Sequence, residues 1–283
     1  MRLGEEQIMK VARRTDFGVY LRDINDFHKN DEDAAEVLLP RNQIKEVLRE
    51  GDEISVFIYK DSEDRLIATR ITPLIKLGEI GRLTVNQVTN VGAFLNWGLP
   101  KDLLLPFAEQ VVRVKEGDEI LVAMYIDNSD RLCATMKIYD YLSTDSPYKK
   151  DDEVSGTVYE IIDSFGAYVA VDDKYSAMVP KKELVKKLKV GDKVTARVTE
   201  IKEDGKIDLS LRKKSYEQMD DDATVIMKKL NENNGELPFS DKSDAEAIKE
   251  NFGMSKAAFK RAIGRLYKEH KIIIEPDNIK SVG

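Results

Sequence analysis

Short runs of alternating apolar and polar residues, rich in β-branched side chains, fill the chain up to about Arg212. The clearest set reads VSGTVYEII, GAYVAV, SAMVP, KVTARVTEI and KIDLSLR. Alternation with this composition is typical of strands that bury one face. Between the third and fourth runs, KKELVKKLKVGD predicts a short helical turn that ends at Gly191. Five short strands with a helical turn before the fourth predict a small closed barrel of the OB type.

The same arrangement occurs three times along the chain. The phrases GDEISVFIY, GDEILVAMY and GDKVTARVT begin at Gly51, Gly117 and Gly191, each eleven residues after a proline. Such constant spacing predicts three tandem barrels, over residues 1–73, 74–142 and 151–214, in which the Gly-Asp turn opens the fourth strand. The first repeat is eight residues longer, and its polar segment around His28 predicts an insertion in a surface loop.

Two connections of different character join the repeats. The polar stretch YDYLSTDSPYKKDDE, which contains Pro147, predicts a linker between repeats two and three. The shorter TPLIKLGEIG joins repeats one and two. We therefore expect repeats one and two to pack more closely.

After Arg212 the apolar residues change to helical spacing, in DATVIMKKLNEN, DAEAIKENFG and SKAAFKRAIGRLYKEHK. Asp244 and Ser255 are suited to cap the second and third helices, and Gly253 to end the second. The final IIIEPDNIKSV has the pattern of a β-hairpin. Three helices and a hairpin predict a winged helix-turn-helix over residues 215–283. The predicted fold class is therefore mainly β, with an α+β tail.

The composition narrows the class of protein. The formal net charge is -7 with both signs mixed, which argues against a generally basic nucleic-acid coat. Cys133 is the only cysteine and lies in an apolar run, so a disulfide framework is excluded. The sequence shows neither a signal peptide nor eighteen consecutive apolar residues. We expect a cytoplasmic protein that does not enter the membrane.

The third repeat carries a resemblance to a known family. Its stretch GTVYEIIDSFGAYVAVDDKYSAMVPKKEL, followed by VGDKVTARVTEIKEDGKIDLSLR, resembles the RNA-binding repeat named after the largest small-subunit ribosomal protein, here the S-one repeat. The other two repeats match it more faintly. Three such repeats before a winged helix resemble the conserved virulence factor B family of Firmicutes. That resemblance implies RNA binding and post-transcriptional control of gene expression.

The resemblance also implies an RNA-binding face of two aromatics three residues apart, a histidine, and an Asp–Arg pair. The histidine position holds Pro40, Pro106 and Pro180, so that contact is absent. Repeat two has Val91 in place of its first aromatic. Repeat three has lysines in place of the Asp–Arg pair. The corresponding residues are Phe17, Tyr20, Asp61 and Arg65 in repeat one, Phe94, Asp127 and Arg131 in repeat two, and Phe165, Tyr168, Lys202 and Lys206 in repeat three.

Strand geometry decides whether the two aromatics of a repeat can lie on the same face. Residues three apart on a flat strand point to opposite faces. Phe165 and Tyr168 therefore share a face only if Gly166 forms a bulge, and the alternative is that one of the two lies in the core. Aromatic side chains on one face could stack on successive bases of a single strand.

Basic residues outside these repeats' faces are candidates for backbone contacts with nucleic acid. The alternative is that these residues only form a charged, solvent-exposed surface without a binding role. In the third repeat they are Lys186, Lys187 and Lys189. On the third predicted helix, off its apolar stripe of Phe259, Ile263 and Leu266, they are Lys256, Lys260, Arg261, Arg265 and Lys268.

The sequence gives little support to an enzymatic function. His28 and His270 are far apart in sequence, and no cysteine cluster, His-Glu pattern or glycine-rich phosphate loop is present. We expect no enzyme activity, no metal and no cofactor. The first hypothesis is a non-enzymatic regulator that binds single-stranded RNA, with ribosome or RNA-decay components as further partners. The alternatives are a DNA-binding regulator that uses its winged helix, and a protein scaffold accessory to those machineries.

Overall fold

The computed structural model of the protein describes residues 1–26, 35–185, 187–212 and 215–282, with the backbone alone for 215–220. The insertion predicted around His28 and the candidate Lys186 lie outside these residues. The chain forms two compact units, Met1–Leu211 and Arg212–Gly283. Within the described ranges, every helix is too short or too polar to cross a membrane.

Unit 1 contains three closed five-stranded barrels. Barrel one consists of β1 (Glu6–Thr15), β2 (Gly18–Asp23), β3 (Val37–Pro40), β4 (Glu53–Lys60) and β5 (Leu66–Thr69). Barrel two consists of β6 (Ile80–Val88), β7 (Gly92–Asn96), β8 (Leu103–Pro106), β9 (Glu119–Ile126) and β10 (Leu132–Thr135). Barrel three consists of β11 (Glu153–Ile162), β12 (Gly166–Val171), β13 (Tyr175–Pro180), β14 (Lys193–Ile201) and β15 (Ile207–Ser210).

The three barrels share one strand order, in which the third strand pairs with the fifth and the fifth with the fourth. The third and fifth strands run parallel, and all other neighbours run antiparallel. Apolar side chains that alternate along each strand fill the barrel interiors, as the pattern predicted. The prediction of three OB-type barrels is confirmed.

The helical turn before the fourth strand is shorter than predicted. In barrel three it is a 3-10 turn of three residues, Lys181–Glu183, that follows Pro180 directly. The other barrels have the same turn at Arg41–Gln43 and Phe107–Glu109. The last residue of each turn accepts a hydrogen bond from the end of the fifth strand, as Ser210 Oγ donates to Glu183 at 2.6 Å.

The recurring Gly-Asp phrase holds the entrance of the fourth strand against the first strand. In barrel three, Gly191 N donates to Val158 O at 2.8 Å, and Val158 N donates to Asp192 O at 2.9 Å. The Asp192 carboxylate accepts from Lys189 N at 2.8 Å. Gly191 has a φ of +94°, a conformation that favours glycine. The first strand bulges immediately after Val158, so the turn satisfies backbone groups that the bulge releases.

Barrels one and two pack against each other through aromatic side chains. The ring of Trp97 lies edge-on to Phe57 and Tyr59 of β4, with centroids 5.9 and 6.0 Å apart. All three side chains are buried. They join the core of barrel two to the outer face of barrel one.

The connection predicted as a linker is also packed, which corrects that prediction. Ile138 and Leu142 are buried in an apolar cluster with Tyr159 and Ala170 of barrel three. Arg82 of barrel two donates to the Asp173 carboxylate at 2.6 Å, which adds an ion pair across the same junction. The sequence did not predict this packing, because the apolar residues of the connection are separated by polar ones and form no continuous apolar run.

Unit 2 contains three helices and a three-stranded sheet. The elements are α1 (Ser215–Glu232), β16 (Glu236–Leu237), α2 (Ala245–Phe252), α3 (Lys256–Lys268), β17 (Ile272–Ile274) and β18 (Ile279–Ser281). The Asp244 carboxylate caps α2 by accepting from Glu246 N and Ala247 N, and Ser255 caps α3. Gly253, with a φ of +68°, ends α2. Phe259, fully buried on α3, lies in the core of this unit. The predicted winged helix-turn-helix is confirmed.

Candidate nucleic-acid interface

Strand pairing aligns the same surface position in all three barrels. Each aromatic of the second strand lies opposite a residue of the third strand, as the pairs Tyr20–Leu38, Phe94–Leu104 and Tyr168–Met178 show. The fifth strand adds Ile67, Cys133 and Asp208 beside these pairs. The three faces can therefore be compared residue by residue.

The face of barrel three is a groove of about 260 Å³ with aromatic and basic walls. Phe165 is 59% exposed in the turn before β12, and Tyr168 is half-buried on the strand. Both side chains line the groove, together with Met178 and Lys206. The structure thus brings together the aromatic pair that the sequence predicted.

The backbone conformation that unites this pair differs from the predicted bulge. β12 keeps a regular register from Gly166 to Val171, and the bulge of this sheet lies in β11. Phe165 instead precedes the strand, and Gly166 has a φ of +139°. A Cβ at this position would stand 2.1 Å from Val179 O, so only glycine fits.

The proline at the histidine position belongs to the same turn. Pro180 pairs with Gly166 at the ends of their strands, and Lys181 N donates to Phe165 O at 2.9 Å. The backbone around Phe165 is therefore fixed although its ring is exposed. Because this backbone is already ordered, the main chain at Phe165 loses little conformational entropy when a base stacks on the ring.

Tyr139 is a member of this groove that sequence reasoning missed. It lies in the connection after barrel two, is 41% exposed, and lines the groove beside Phe165. Its ring centroid is 6.2 Å from that of Tyr168, edge-on. Lys206 Nζ lies 5.5 Å from the Tyr139 ring centroid, within reach of a cation–π contact. The only indication in the sequence was the pair of tyrosines in YDY, which stand out in an otherwise polar stretch.

The two lysines of barrel three each have a carboxylate partner. Lys202 Nζ lies 2.8 Å from Asp208 Oδ1, and Lys206 Nζ lies 2.7 Å from Asp204 Oδ2. The hydrogen bond to Asp204, followed by that to Tyr139, raises the pKa of Lys206, so its ammonium stays charged. The Lys206–Asp204 pair is exposed and weak enough for a phosphate to compete with the carboxylate, whereas the Asp208 side chain is largely buried.

The Asp–Arg pairs of barrels one and two are built into the turn between the fourth and fifth strands. Asp61 Oδ1 accepts from Glu63 N and Arg65 N, and Asp61 Oδ2 accepts from the Arg65 guanidinium at 2.7 Å. The hydrogen bond to Asp61 raises the pKa of Arg65. Asp127 and Arg131 repeat this arrangement at 3.2 Å. The aspartates therefore shape the turn, and the arginines supply the exposed charge.

The face of barrel one is partly covered by its own arginine. Phe17 is 77% exposed in the turn before β2. The guanidinium carbon of Arg13 lies 3.8 Å from the centroid of the Tyr20 ring, and Arg13 also pairs with Glu36 at 2.8 Å. A base could reach Phe17 directly, but it would have to displace Arg13 or stack on it to approach Tyr20.

The remaining basic candidates lie outside these grooves. Lys187 and Lys189 are exposed in the loop before Gly191. On α3, Lys260, Arg261 and Lys268 are exposed, whereas Lys256 and Arg265 are half-buried. Lys260 lies 3.7 Å from the Asp241 carboxylate, and Arg265 lies 2.7 Å from that of Glu269. The charge of this helix is therefore partly balanced by its own unit.

The family models that match this chain cover the three barrels and the winged helix separately. Residues 3–70 and 77–137 match the family model described as S1 domain, residues 148–212 the S1 RNA binding domain, and residues 224–280 the CvfB-like winged helix domain. A crystal structure of a multidomain protein with nucleic acid binding domains from Streptococcus pneumoniae aligns with a TM-score of 0.51. It is 23% identical and covers 99% of this chain and 98% of its own, which shows a shared fold.

Curated relatives match over most of their length. The Bacillus subtilis protein YitL is 36% identical over 97% of this chain and 92% of its own. The conserved virulence factor B of Staphylococcus saprophyticus is 34% identical over 86% of this chain and 85% of its own, and that of Staphylococcus aureus is 32% identical over 90% and 84%. With this identity and coverage, together with three S1 domains and a CvfB-like winged helix, the chain belongs to the conserved virulence factor B family.

Proposed function

We propose that this protein is a non-enzymatic, cytoplasmic regulator that binds single-stranded RNA and acts after transcription. The observation that carries the proposal is the groove of barrel three, in which exposed Phe165 stands beside Tyr139, Tyr168 and two lysines. Bases of a single strand are free to stack on such rings, whereas paired bases in a duplex are not. The S1 RNA binding domain match over residues 148–212 supports the same reading.

The side chains that line the groove favour binding that tolerates many RNA sequences. Aromatic rings provide contacts that every base can make, and Lys202 and Lys206 lie where a phosphate backbone would pass. The described residues that line this groove include no asparagine or glutamine, and its carboxylates Asp204 and Asp208 pair with the two lysines. We therefore propose sequence-tolerant binding in which the three barrels contribute to one longer contact through effective concentration.

The regulatory role rests on membership of a family in which several curated members, such as that of Staphylococcus saprophyticus, are named conserved virulence factor B. A protein that binds RNA without a catalytic site can act by occupying a transcript or by delivering it to ribosome or RNA-decay components. We propose these components as partners. The partly balanced charge of α3 gives less support to a DNA-binding role for unit 2.

The test is a competition between nucleic acids on the full chain. A fluorescently labelled single-stranded RNA of about 20 nucleotides is bound first, and unlabelled single-stranded RNA, duplex RNA and duplex DNA of the same sequence compete. We expect the single strand to compete best. Better competition by duplex DNA would instead support a DNA-binding regulator, and absence of any RNA binding would favour a protein scaffold.

A further inference from the structure

The face of barrel two differs from the other two because barrel one stands in front of it. A cleft of about 390 Å³ lies between them, within the roughly 300–1,000 Å³ typical of small-ligand pockets. Val91, Phe94 and Leu104 of barrel two form one wall. Tyr59, on β4 of barrel one, contributes to the other wall.

The floor of this cleft is aromatic and rigid. Trp97 and Tyr59 are buried and pack edge to face, with centroids 6.0 Å apart. The Trp97 Nε1–H donates to Lys101 O, which fixes the indole. Lys101 Nζ in turn donates to Asp61 O at 2.6 Å and so ties the rim of barrel two to the turn of barrel one. The cleft is therefore built by both barrels together.

The rim carries positive charge suited to a phosphate. Arg131 lies there at the position that Lys206 occupies in barrel three. Lys60 lies on the opposite rim, and among the described residues it has no carboxylate within ion-pair distance. Two carboxylates also lie there, Asp64 paired with Lys101 and Asp102 accepting from Asn86. With Lys60, Lys101 and Arg131 the rim holds three cations against these two carboxylates. An anionic group at the mouth would thus approach Lys60 without displacing a carboxylate of the described residues.

From these features we infer that the cleft between barrels one and two binds one unstacked nucleotide of the RNA, its base between the walls and its phosphate near Lys60. This inference rests on the proposed RNA binding and assigns it a second, enclosed site. Flat aromatic bases fit a narrow apolar slot, and the phosphate fits a charged rim. Barrel two therefore compensates for Val91, which replaces the aromatic that Phe165 supplies in barrel three.

The cleft has its own reporter, because Trp97 is the only tryptophan of the chain. Titration with a single-stranded oligouridylate and a single-stranded oligoadenylate should change Trp97 emission in a saturable manner. Overall binding is followed in parallel by the anisotropy of a label on the RNA. The two readouts separate occupancy of the cleft from occupancy of barrel three.

Two matched variants test the location. Ser62 is exposed at the turn of barrel one and lines the cleft, whereas Asn128 occupies the same turn position in barrel two and is exposed. Ser62→Phe should fill the cleft and abolish the emission change, and Asn128→Phe should leave it intact. Lys60→Glu should weaken the binding that Trp97 reports by roughly five-fold or more, the range expected for one lost phosphate or stacking contact. Thermal melts establish that each variant is folded.

The possible results distinguish the two proposals. An emission change that persists in the Phe165→Ala, Tyr168→Ala double variant and disappears in Ser62→Phe supports the cleft. RNA binding by anisotropy without any change in Trp97 emission, or with a change that Ser62→Phe and Lys60→Glu leave unaltered, overturns the cleft and leaves the proposed function standing. Absence of binding in both readouts overturns both.

Discussion

Tyr139 and Tyr168 meet edge to face with ring centroids 6.2 Å apart, although one belongs to the connection after barrel two and the other to β12. This contact makes the groove of barrel three a joint product of the barrel and the segment that precedes it. The edge-to-face arrangement restrains the Tyr168 ring, which also lines the groove.

Replacing Tyr139 should therefore weaken RNA binding. We expect Tyr139→Ala to lose about 1 kcal/mol of binding free energy, roughly five-fold, because both a groove wall and the support of Tyr168 are removed. Tyr139→Phe keeps the ring and loses only the hydroxyl that bonds Lys206, so it should retain most of the wild-type affinity. Calorimetric titration with a single-stranded RNA measures both. Unchanged affinity in Tyr139→Ala would exclude this residue from the interface.

The aromatic pair of barrel three should matter more than the single aromatic of barrel two. Each lost stack costs about 1–3 kcal/mol, so replacing both Phe165 and Tyr168 with alanine should weaken binding more than Phe94→Ala does. Phe165 is exposed, so Phe165→Ala alone should leave the melting temperature nearly unchanged.

Melts and titrations on the same samples check that comparison. A large fall in melting temperature for Phe165→Ala with intact binding would contradict the placement of its ring. Equal losses from Phe94→Ala and from the double variant would show that barrel two contributes as much as barrel three.

Salt should weaken binding moderately rather than steeply. The grooves offer a few cations each, and most of these are already paired with carboxylates, as Lys202 and Lys206 are. If about 4–6 phosphates are neutralised on a single strand, the slope of log K against log salt should be roughly -3 to -4. Affinities measured across a series of potassium chloride concentrations give this slope. A slope near zero would contradict backbone contacts by these lysines and arginines.

Many of the turns, helix caps and strands that depend on short segments could be predicted from the sequence. The Gly-Asp turns, the caps at Asp244 and Ser255, and the strands of barrel three follow from residue type and spacing alone. Sequence reasoning overlooked a second set of turns, RLGE, KLGE and KKDD, which hold the first strand of each barrel. Asp151 N, for example, donates to Val198 O at 2.8 Å in the way that Gly191 N donates to Val158 O.

The tertiary parts of the site could not be predicted in this way. Tyr139 reaches the groove only because Ile138 and Leu142 bury the connection between barrels two and three. Phe94 faces a cleft rather than open solvent only because Trp97 packs on Tyr59 of another barrel. Both placements depend on contacts between distant segments, which hydrophobic spacing within one segment does not encode.

Gly166 should be intolerant of any side chain. Its φ of +139° and the approach of Val179 O to 2.1 Å from a built Cβ imply that Gly166→Ala must move the backbone. Gly191→Ala is the matched control, because that glycine also has a positive φ but has no atom within 4 Å of a built Cβ.

Each substitution should cost about 1–3 kcal/mol for the backbone conformation, and Gly166→Ala should cost more because of the clash. For a unit of this size, about 1 kcal/mol corresponds to roughly 2–4 °C in melting temperature. Thermal melts that rank the two variants equally would show that the close approach is relieved at no cost.

The connection at Lys149 and Lys150 should resist trypsin although both side chains are exposed. The Tyr148 hydroxyl donates to the Asp172 carboxylate, a bond that raises the pKa of Tyr148 to about 12, and its ring lies edge-on to Tyr175 with centroids 6.1 Å apart. A protease needs several residues in an extended, accessible conformation, so a connection held in this way is cut slowly.

Tyr148→Ala should release the segment and accelerate cleavage after Lys149 and Lys150, whereas Tyr148→Phe keeps the ring and should be cut at an intermediate rate. Tyr267→Ala, at an exposed tyrosine of unit 2, is the control for removal of a surface ring. Mass spectrometry of a trypsin time course identifies the first cuts. If the wild type is cut there as fast as Tyr148→Ala, the packing of this connection does not protect it, and the flexible linker that the polar sequence suggested is the better description.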